Sequence, residues 1–178
     1  MSHGDFRLGN FIVDEDGLAA VIDWELAHLG DPAEIQATAS RVLGEHLGTG
    51  RAYYVEIDEL AGEYIVARDW HKPGETSHAR RYAREIWPMP WMIDGRTWWF
   101  TDVNTDPALP DDQREGYRQN SIGAAVVVPL VKGGNLVATF VTNQRQPRAW
   151  SEHEIGLVEE TAERTWAAIE RARAELAL

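Results

Sequence analysis

The 178-residue sequence contains no cysteine. This absence excludes, within these residues, a thiolate nucleophile, a cysteine-based zinc site, a disulfide framework and a cofactor attached through a thioether. Basic residues are also scarce, because 17 Lys and Arg stand against 29 Asp and Glu and leave a net charge of −12 at pH 7. Such a chain lacks the basic field that nucleic-acid binding requires. We therefore expect no nucleic-acid partner.

Long hydrophobic runs are absent as well. No window approaches the roughly 20 apolar residues that a membrane-spanning helix needs, and the first residues do not form a signal peptide. We expect no membrane partner and a cytoplasmic location. The hydrophobic fraction of 44% and the charged fraction of 26% are typical of a globular domain with a packed core. The length suits one domain and a short appendage.

The spacing of the apolar residues predicts an α+β domain. Asp31 as an N-cap, Pro32 after it, and apolar residues three to four apart predict a helix over 32–47. The period then changes to two, which predicts strands. The remaining predicted elements, in chain order, are strands at 51–57, 63–70 and 97–103, a helix at 111–119, a hairpin of strands 124–131 and 136–142, and a helix from 152 nearly to the end.

The last predicted helix begins with a capping box, Ser151 with Glu154, and carries a second pattern. Apolar and small residues recur at alternating spacings of three and four, which is the seam of a coiled coil. This seam predicts a homodimer that pairs through the helices at 32–47 and 152–176. The alternative is a helix that lies on the sheet of its own chain. The seam residues are Ile155, Val158, Ala162, Thr165, Ile169, Ala172 and Leu176.

The first segment contains two short apolar runs, 10–13 and 18–22, joined by a polar turn, which predicts a β-hairpin. Its sequence, HGDFRLGNFIVDEDGLAAVIDWELAHLGDP, resembles the catalytic and metal-binding loops of aminoglycoside phosphotransferase-like small-molecule kinases. The resemblance covers about residues 1–32. It implies that Asp5 is the catalytic base and that Asn10 and Asp23 bind magnesium on the nucleotide phosphates.

Only two residues stand before this motif in the sequence, whereas phosphoryl transfer by a kinase also needs a glycine-rich loop and a phosphate-binding lysine. We therefore expect residues 1–31 to form a truncated, vestigial hairpin without catalytic activity. The alternative function is a phosphotransferase fragment that binds Mg-ATP through Asp5, Asn10 and Asp23.

From about residue 31 to residue 176, the chain resembles a GAF domain of the type found in bacterial sensory histidine kinases. The resemblance implies an antiparallel sheet flanked by N- and C-terminal helices, with the β-hairpin as an N-terminal appendage. It divides the chain into residues 1–31 and 32–178. It also implies a non-catalytic module that senses a small molecule or a partner and signals through its terminal helices to a partner domain. The segments that carry it are AEIQATASRVLGEHLGTGRAYYVEID, TWWFTDVNTDPALP, SIGAAVVVPLVKGGNLVA and PRAWSEHEIGLVEETAERTWAAIERARAE.

A GAF domain holds its ligand on the sheet face that the irregular middle segment covers, which is residues 71–123 here. Aromatic rings interleaved with arginines in this segment can stack a planar ligand and neutralise an anionic one. The alternatives are that the rings only fill space, or that an empty domain serves as a dimerisation platform. His71 and His78 do not match a metal-ligand spacing, and the lack of cysteine excludes covalent bilin attachment. The predicted ligand-binding residues are Arg81, Arg84, Trp87, Trp91, Trp98 and Trp99.

Overall fold

A seven-stranded antiparallel sheet with helices packed on one face forms the computed structural model over the residues that it describes, 15–86, 92 and 94–178. The strand order is β4-β2-β1-β7-β6-β5, and β3 also pairs with β1. The predicted α+β class is confirmed. The elements are α1 (Glu15–Leu26), α2 (Pro32–Leu47), β1 (Arg51–Asp58), β2 (Glu63–Ile65), β3 (Asp69–His71), β4 (Arg81–Ala83), β5 (Trp98–Phe100), α3 (Asp111–Gln119), β6 (Ala124–Lys132), β7 (Asn135–Gln144) and α4 (Glu152–Leu176).

The ends of α2 and α4 follow their sequence signals. The Asp31 carboxylate accepts a hydrogen bond from the backbone N–H of Ala33 at 2.8 Å, and Gly48 caps the C-terminus of α2 with a φ of 65°, which suits a residue without Cβ. At the start of α4, Ser151 and Glu154 form the predicted capping box. These interactions satisfy backbone groups that a helix end otherwise leaves unpaired.

The two faces of the sheet carry different cores, because alternate strand residues point in opposite directions. Tyr54, Val126 and Phe140 face the helices and belong to the larger core with α1, α2 and α4. Their neighbours Tyr53 and Val127 face the other side and belong to a smaller cluster. Met92 belongs to this smaller cluster, Tyr82 packs against it, and Tyr117 of α3 packs with Ala125 of β6 in a third cluster.

The prediction of a β-strand at residues 18–22, the second strand of the N-terminal hairpin, is wrong, because these residues lie in the helix α1. Leu18, Ile22 and Leu26 stand four residues apart, are all buried, and form one apolar stripe in the helix-side core. A short apolar run is ambiguous between strand and helix, and here packing decides for the helix. The first predicted strand, residues 10–13, lies outside the described residues.

The predicted strand at 63–70 is interrupted rather than continuous. Ile65 pairs with Glu56 and Asp69 pairs with Tyr53, so three residues of this strand stand opposite two residues of β1. The extra residue is a bulge, which separates β2 from β3. The short edge strand β4, which pairs with β2, was not predicted.

The residues of α4 that form the predicted coiled-coil seam pack against other parts of the same chain. Six of its seven residues, Ile155 to Ala172, are buried, and only Leu176 is exposed. A helix on a sheet and a coiled coil share the same three-to-four spacing, and the structure shows the first arrangement. Homodimer formation itself stays a prediction. In the part of the chain that is described, no helix combines the length and the apolar character needed to cross a membrane.

Candidate functional site

A cavity of about 80 Å³ lies on the sheet face opposite α1, α2 and α4. The residues around it come from strands β1, β2, β4, β6 and β7 of the sheet, from the loop before β4 and from the chain around the end of α3. The walls are mostly apolar. The lining residues are Tyr53, Val55, Tyr64, Val66, His78, Tyr82, Met92, Tyr117, Asn120, Ile122, Ala125, Val127, Thr139, Val141 and Asn143.

One end of the cavity is polar and consists of Tyr53, His78 and Asn143. The side-chain amide of Asn143 donates to the Tyr53 hydroxyl oxygen at 2.9 Å, and His78 Nδ1 lies 3.3 Å from the same oxygen. Because the hydroxyl oxygen accepts from Asn143, its own proton can be donated to the unprotonated Nδ1 of His78. A hydrogen bond between His78 and the backbone of Asn120 holds the ring further.

This polar end is uncharged at neutral pH. Burial, with the positive charge of Arg51 as the second cause, lowers the pKa of His78 from 6.5 to about 4. Burial also raises the pKa of the Tyr53 hydroxyl far above neutral, and that of Tyr117 in the same way. The groups therefore act as hydrogen-bonding groups rather than as charges.

Arg51 lies behind the polar end and is fully buried. Its Nε donates to the Thr76 carbonyl at 2.8 Å, and its Nη2 bonds Glu75 at 2.7 Å. Its Nη1 donates to the Ser121 carbonyl and to Asn143 Oδ1, each at 3.3 Å. This guanidinium therefore joins β1 to β7, to the loop that carries His78 and to the chain after α3.

Asp69 folds the loop that covers this end of the cavity. Its carboxylate accepts hydrogen bonds from the His78 backbone N–H at 2.5 Å and from the Ser77 hydroxyl at 2.8 Å. The Tyr82 hydroxyl donates to the His78 carbonyl at 2.7 Å. His78 is thus held through its ring and through its backbone.

The buried imidazole predicts a loss of stability in mild acid. His78 has a pKa of about 4 in the folded protein, below the ordinary histidine value of 6.5, so the unfolded chain binds more protons between these two pH values. The contribution of the neutral His78 side chain to the free energy of unfolding is fully present above pH 6.5, and it is lost as the pH falls towards 4. We expect the free energy of unfolding to drop by roughly 2 kcal/mol over this range. Urea denaturation at a series of pH values measures it.

The substitution His78→Gln isolates this effect, because glutamine does not titrate. We expect its unfolding free energy to change less between pH 6.5 and 4.5 than that of the wild type. His71→Gln, at the exposed end of β3, is the matched control for the substitution itself. A His78→Gln variant with the wild-type pH slope contradicts the assignment.

Two of the predicted ligand-binding residues, Arg81 and Arg84, lie at the exposed edge of the sheet. Arg81 pairs with Glu63 at 2.7 Å, and Arg84 pairs with Glu59 at 2.8 Å. The Arg84 guanidinium also stacks over the Tyr64 ring, at 5.7 Å from its centroid. Neither arginine is among the residues that line the cavity.

The predicted tryptophans are placed differently from one another. Trp98 packs against Phe100 and Tyr117, with ring centroids 5.4 and 6.2 Å away. Trp99 points to the other side of the sheet and is 42% exposed. Neither is among the lining residues, and Trp87 and Trp91 lie outside the described residues. Ligand binding by these arginines and tryptophans stays a prediction.

The candidate phosphotransferase residues are not brought together in the described structure. Asp5 and Asn10 lie outside the described residues. Asp23 lies on α1 and forms an ion pair with Arg164 of α4, which also binds Glu160 at 2.7 Å. Over residues 15–86, 92 and 94–178, no group of three or more His, Asp or Glu side chains is arranged to hold a metal ion.

Tyr53, Asn143 and Arg51 are not predicted as site residues from the sequence, and His78 is considered there only as a metal ligand. For Tyr53 and Asn143, the sequence does contain a signal. Tyr53 and Asn143 alternate with residues of the helix-side core on β1 and β7, so both belong to the opposite face. An asparagine at the end of the apolar run VATFV is unusual for a buried strand.

The family comparison agrees with this fold. The GAF domain family model matches residues 31–169, and the chain therefore belongs to the GAF domain family. The model of the phosphotransferase enzyme family matches residues 1–45, a minor part of the chain. No curated protein sequence matches the chain.

Solved structures of low sequence identity share the fold. The chromophore-binding domain of a bacteriophytochrome from R. palustris has a TM-score of 0.79 at 12% identity, over 89% of this chain and 62% of that one. The phycocyanobilin-bound GAF domain of a cyanobacterial phytochrome has a TM-score of 0.79 at 14% identity, over 93% of this chain and 98% of that one. Free methionine-R-sulfoxide reductase from Neisseria meningitidis, in complex with its substrate, has a TM-score of 0.71 at 17% identity, over 90% of this chain and 91% of that one. This chain thus spans less than two thirds of the bacteriophytochrome domain.

Proposed function

We propose that the protein is a non-catalytic sensory module that binds a small organic molecule in the cavity between the sheet and its cover. The observation that carries this proposal is a cavity with apolar walls and a polar end formed by Tyr53, His78 and Asn143. Binding sites for small molecules combine a mostly apolar lining with a few convergent polar groups. Two solved structures of this fold, one bound to phycocyanobilin and one in complex with its substrate, support the proposal that the fold binds a small molecule here.

Strand β1 offers a route from the cavity to the terminal helices. Val55 lines the cavity, and the adjacent Glu56 faces the helices. The Glu56 carboxylate accepts hydrogen bonds from Gln36 of α2 at 2.6 Å and from Arg173 of α4 at 2.8 Å. A ligand that shifts β1 therefore changes contacts of both helices.

A partner domain that receives this change, in the manner of a sensory histidine kinase, is part of the proposal. A homodimer through the terminal helices is also part of it. Because the apolar face of α4 is buried within the chain, such a dimer has to use the faces of α2 and α4 that the chain leaves exposed.

Native mass spectrometry tests the binding proposal. The protein is sprayed as purified and after incubation with a low-molecular-weight metabolite extract. We expect a small-molecule adduct on the wild type that Val127→Trp loses, because the new ring fills the cavity. Leu60→Trp, at a fully exposed turn, is the matched control and keeps the adduct. An adduct that persists in Val127→Trp contradicts the proposal.

The family match at residues 1–45 keeps a phosphotransferase fragment as the second candidate. It predicts that Mg-ATP binds through Asp5, Asn10 and Asp23. In the described structure the Asp23 carboxylate instead pairs with Arg164 and is 57% exposed. The geometry therefore favours the sensory module.

Asp23→Ala separates the two candidates. We expect it to leave ligand binding in the cavity unchanged and to lower the free energy of unfolding by less than about 1 kcal/mol, because exposed ion pairs contribute little. Adduct formation in native mass spectra and urea denaturation measure the two effects. A specific Mg-ATP adduct on the wild type that disappears in Asp23→Ala supports the phosphotransferase fragment instead.

A further inference from the structure

The lining of the cavity carries no ionised side chain among the residues that the structure describes. It contains no Asp, Glu, Lys or Arg, and its histidine, His78, is neutral at pH 7. An anionic group placed in such a lining loses its hydration without gaining an opposite charge. The cavity therefore disfavours carboxylates and phosphates.

Three arginines contact lining residues, and each of them also binds a group outside the cavity or lies at the surface. The Arg51 guanidinium is buried behind Asn143 and directs its nitrogens at four protein groups. Arg80 is exposed, lies over the Tyr82 ring at 4.7 Å, and donates to Asn120 Oδ1 at 3.3 Å. Arg84 lies over Tyr64 and pairs with a glutamate at the surface. Each of these cations already has a partner.

A buried hydroxyl on the cavity floor is available to a ligand. Thr139 of β7 lines the cavity and is only 2% exposed to solvent. It stands opposite Val55 and two residues from Val141, so apolar side chains surround it. A hydroxyl both donates and accepts hydrogen bonds, so one that lines a cavity can pair with a hydrogen-bonding group of a ligand.

The size of the cavity limits the ligand further. Its volume is about 80 Å³, whereas an engineered apolar cavity that binds benzene measures about 150 Å³. A molecule of a few heavy atoms fits as the cavity stands, and a single ring fits when the covering loop yields slightly. A tetrapyrrole or a nucleotide is several times larger.

We propose that this cavity takes a small, electrically neutral organic molecule, no larger than a single ring, whose one hydrogen-bonding group pairs with the Thr139 hydroxyl. This inference rests on the proposed function, and it restricts the ligand to a class that excludes anions. The neighbouring valines contact the apolar body of the ligand, while Tyr53, His78 and Asn143 already satisfy one another at the polar end.

Two-dimensional NMR of the full chain at pH 7 tests the inference with matched probes. Phenol is neutral at this pH and benzoate is an anion, and both carry one aromatic ring. We expect phenol to shift the backbone amides of Val127, Thr139 and Val141, and to bind at least tenfold more tightly than benzoate. Biliverdin and Mg-ATP should leave these amides unshifted.

The variant Thr139→Val tests the hydroxyl, because valine keeps the shape and removes the oxygen. We expect it to weaken phenol binding about fivefold, in line with the loss of one hydrogen bond, and to leave toluene binding unchanged. Thr105→Val, on an exposed turn, is the matched control. Equal phenol affinity of Thr139→Val and the wild type overturns the role of the hydroxyl.

The outcomes separate the inference from the proposed function. If benzoate or biliverdin shifts the same amides with an affinity equal to that of phenol, the neutral-ligand inference is overturned and the proposed function stands. If neither these probes nor the metabolite extract shifts any amide of the cavity, the proposed function is overturned, and the inference is overturned with it.

Discussion

Arg51→Met is expected to lower the free energy of unfolding by about 3–5 kcal/mol, because removal of one partner of a buried, hydrogen-bonded ion pair leaves the others unsatisfied. The guanidinium is fully buried and bonds Glu75, Asn143 and two backbone carbonyls. Methionine fills much of the same space but donates no hydrogen bond. Urea denaturation of the wild type and the variant measures the change.

The control for Arg51 is Arg81→Met, which breaks the ion pair with Glu63 at the sheet edge. The Arg81 side chain is 62% exposed, and an exposed pair is worth about 0–1 kcal/mol. We therefore expect a small loss in the control. Equal losses in the two variants contradict a structural role for the buried arginine.

The second large effect is expected for Phe140→Ala, which should lower the free energy of unfolding by about 3–5 kcal/mol. Phe140 is fully buried in the helix-side core, and its ring packs edge-on against Tyr54 with centroids 6.3 Å apart. Alanine leaves a void that the surrounding strands and helices cannot close. Urea denaturation again measures the loss.

Trp99→Ala is the matched aromatic control in the same sheet. Trp99 is 42% exposed on the edge strand β5, so its removal uncovers less apolar surface and leaves no closed void. We expect it to cost at most half as much as Phe140→Ala. A larger loss for Trp99→Ala contradicts the division of the sheet into a helix-side core and an exposed edge.

Local signals made much of the fold predictable. The N-cap at Asp31 and the capping box at Ser151 place the starts of α2 and α4, and α3 matches the predicted range 111–119. The hairpin of β6 and β7 follows from alternating apolar residues joined by a glycine-rich turn. Each of these signals lies within a few residues of the feature that it predicts.

The misses come from patterns that fit two structures equally well. The run LAAVI alone is compatible with a strand, and the packing of Leu18 and Ile22 in the core that α2 and α4 share favours the helix. The three-to-four spacing of α4 suits a coiled coil and a sheet-packed helix alike. In both cases the contacts that decide lie far away in the chain.

The candidate site was harder to predict than the fold, because its residues are distant in sequence. Asn143 bonds Tyr53 across a separation of 90 residues, and Arg51 bonds Ser121 across 70. The ligand-binding residues predicted from the sequence are arginines and tryptophans that are close to one another in the chain. Of these, Arg81 and Trp99 lie at opposite edges of the sheet, away from the cavity lining.

Relatives in fold do not decide the ligand of this chain. The bilin-bound and substrate-bound structures share the fold at 14% and 17% identity, and one fold serves many ligands. The lining of this cavity is the property that selects its ligand, and in the described residues it is apolar, narrow and uncharged at neutral pH.

A crystal structure after pressurisation with xenon is the most direct test of the central claim, that the covered sheet face holds an accessible apolar cavity. Xenon enters apolar cavities and reports them without a specific ligand. We expect a xenon atom in contact with Val127 and Val141, on the side of the sheet opposite α4. Xenon bound elsewhere in the protein, with side chains filling the space between these valines and Tyr53, would contradict it.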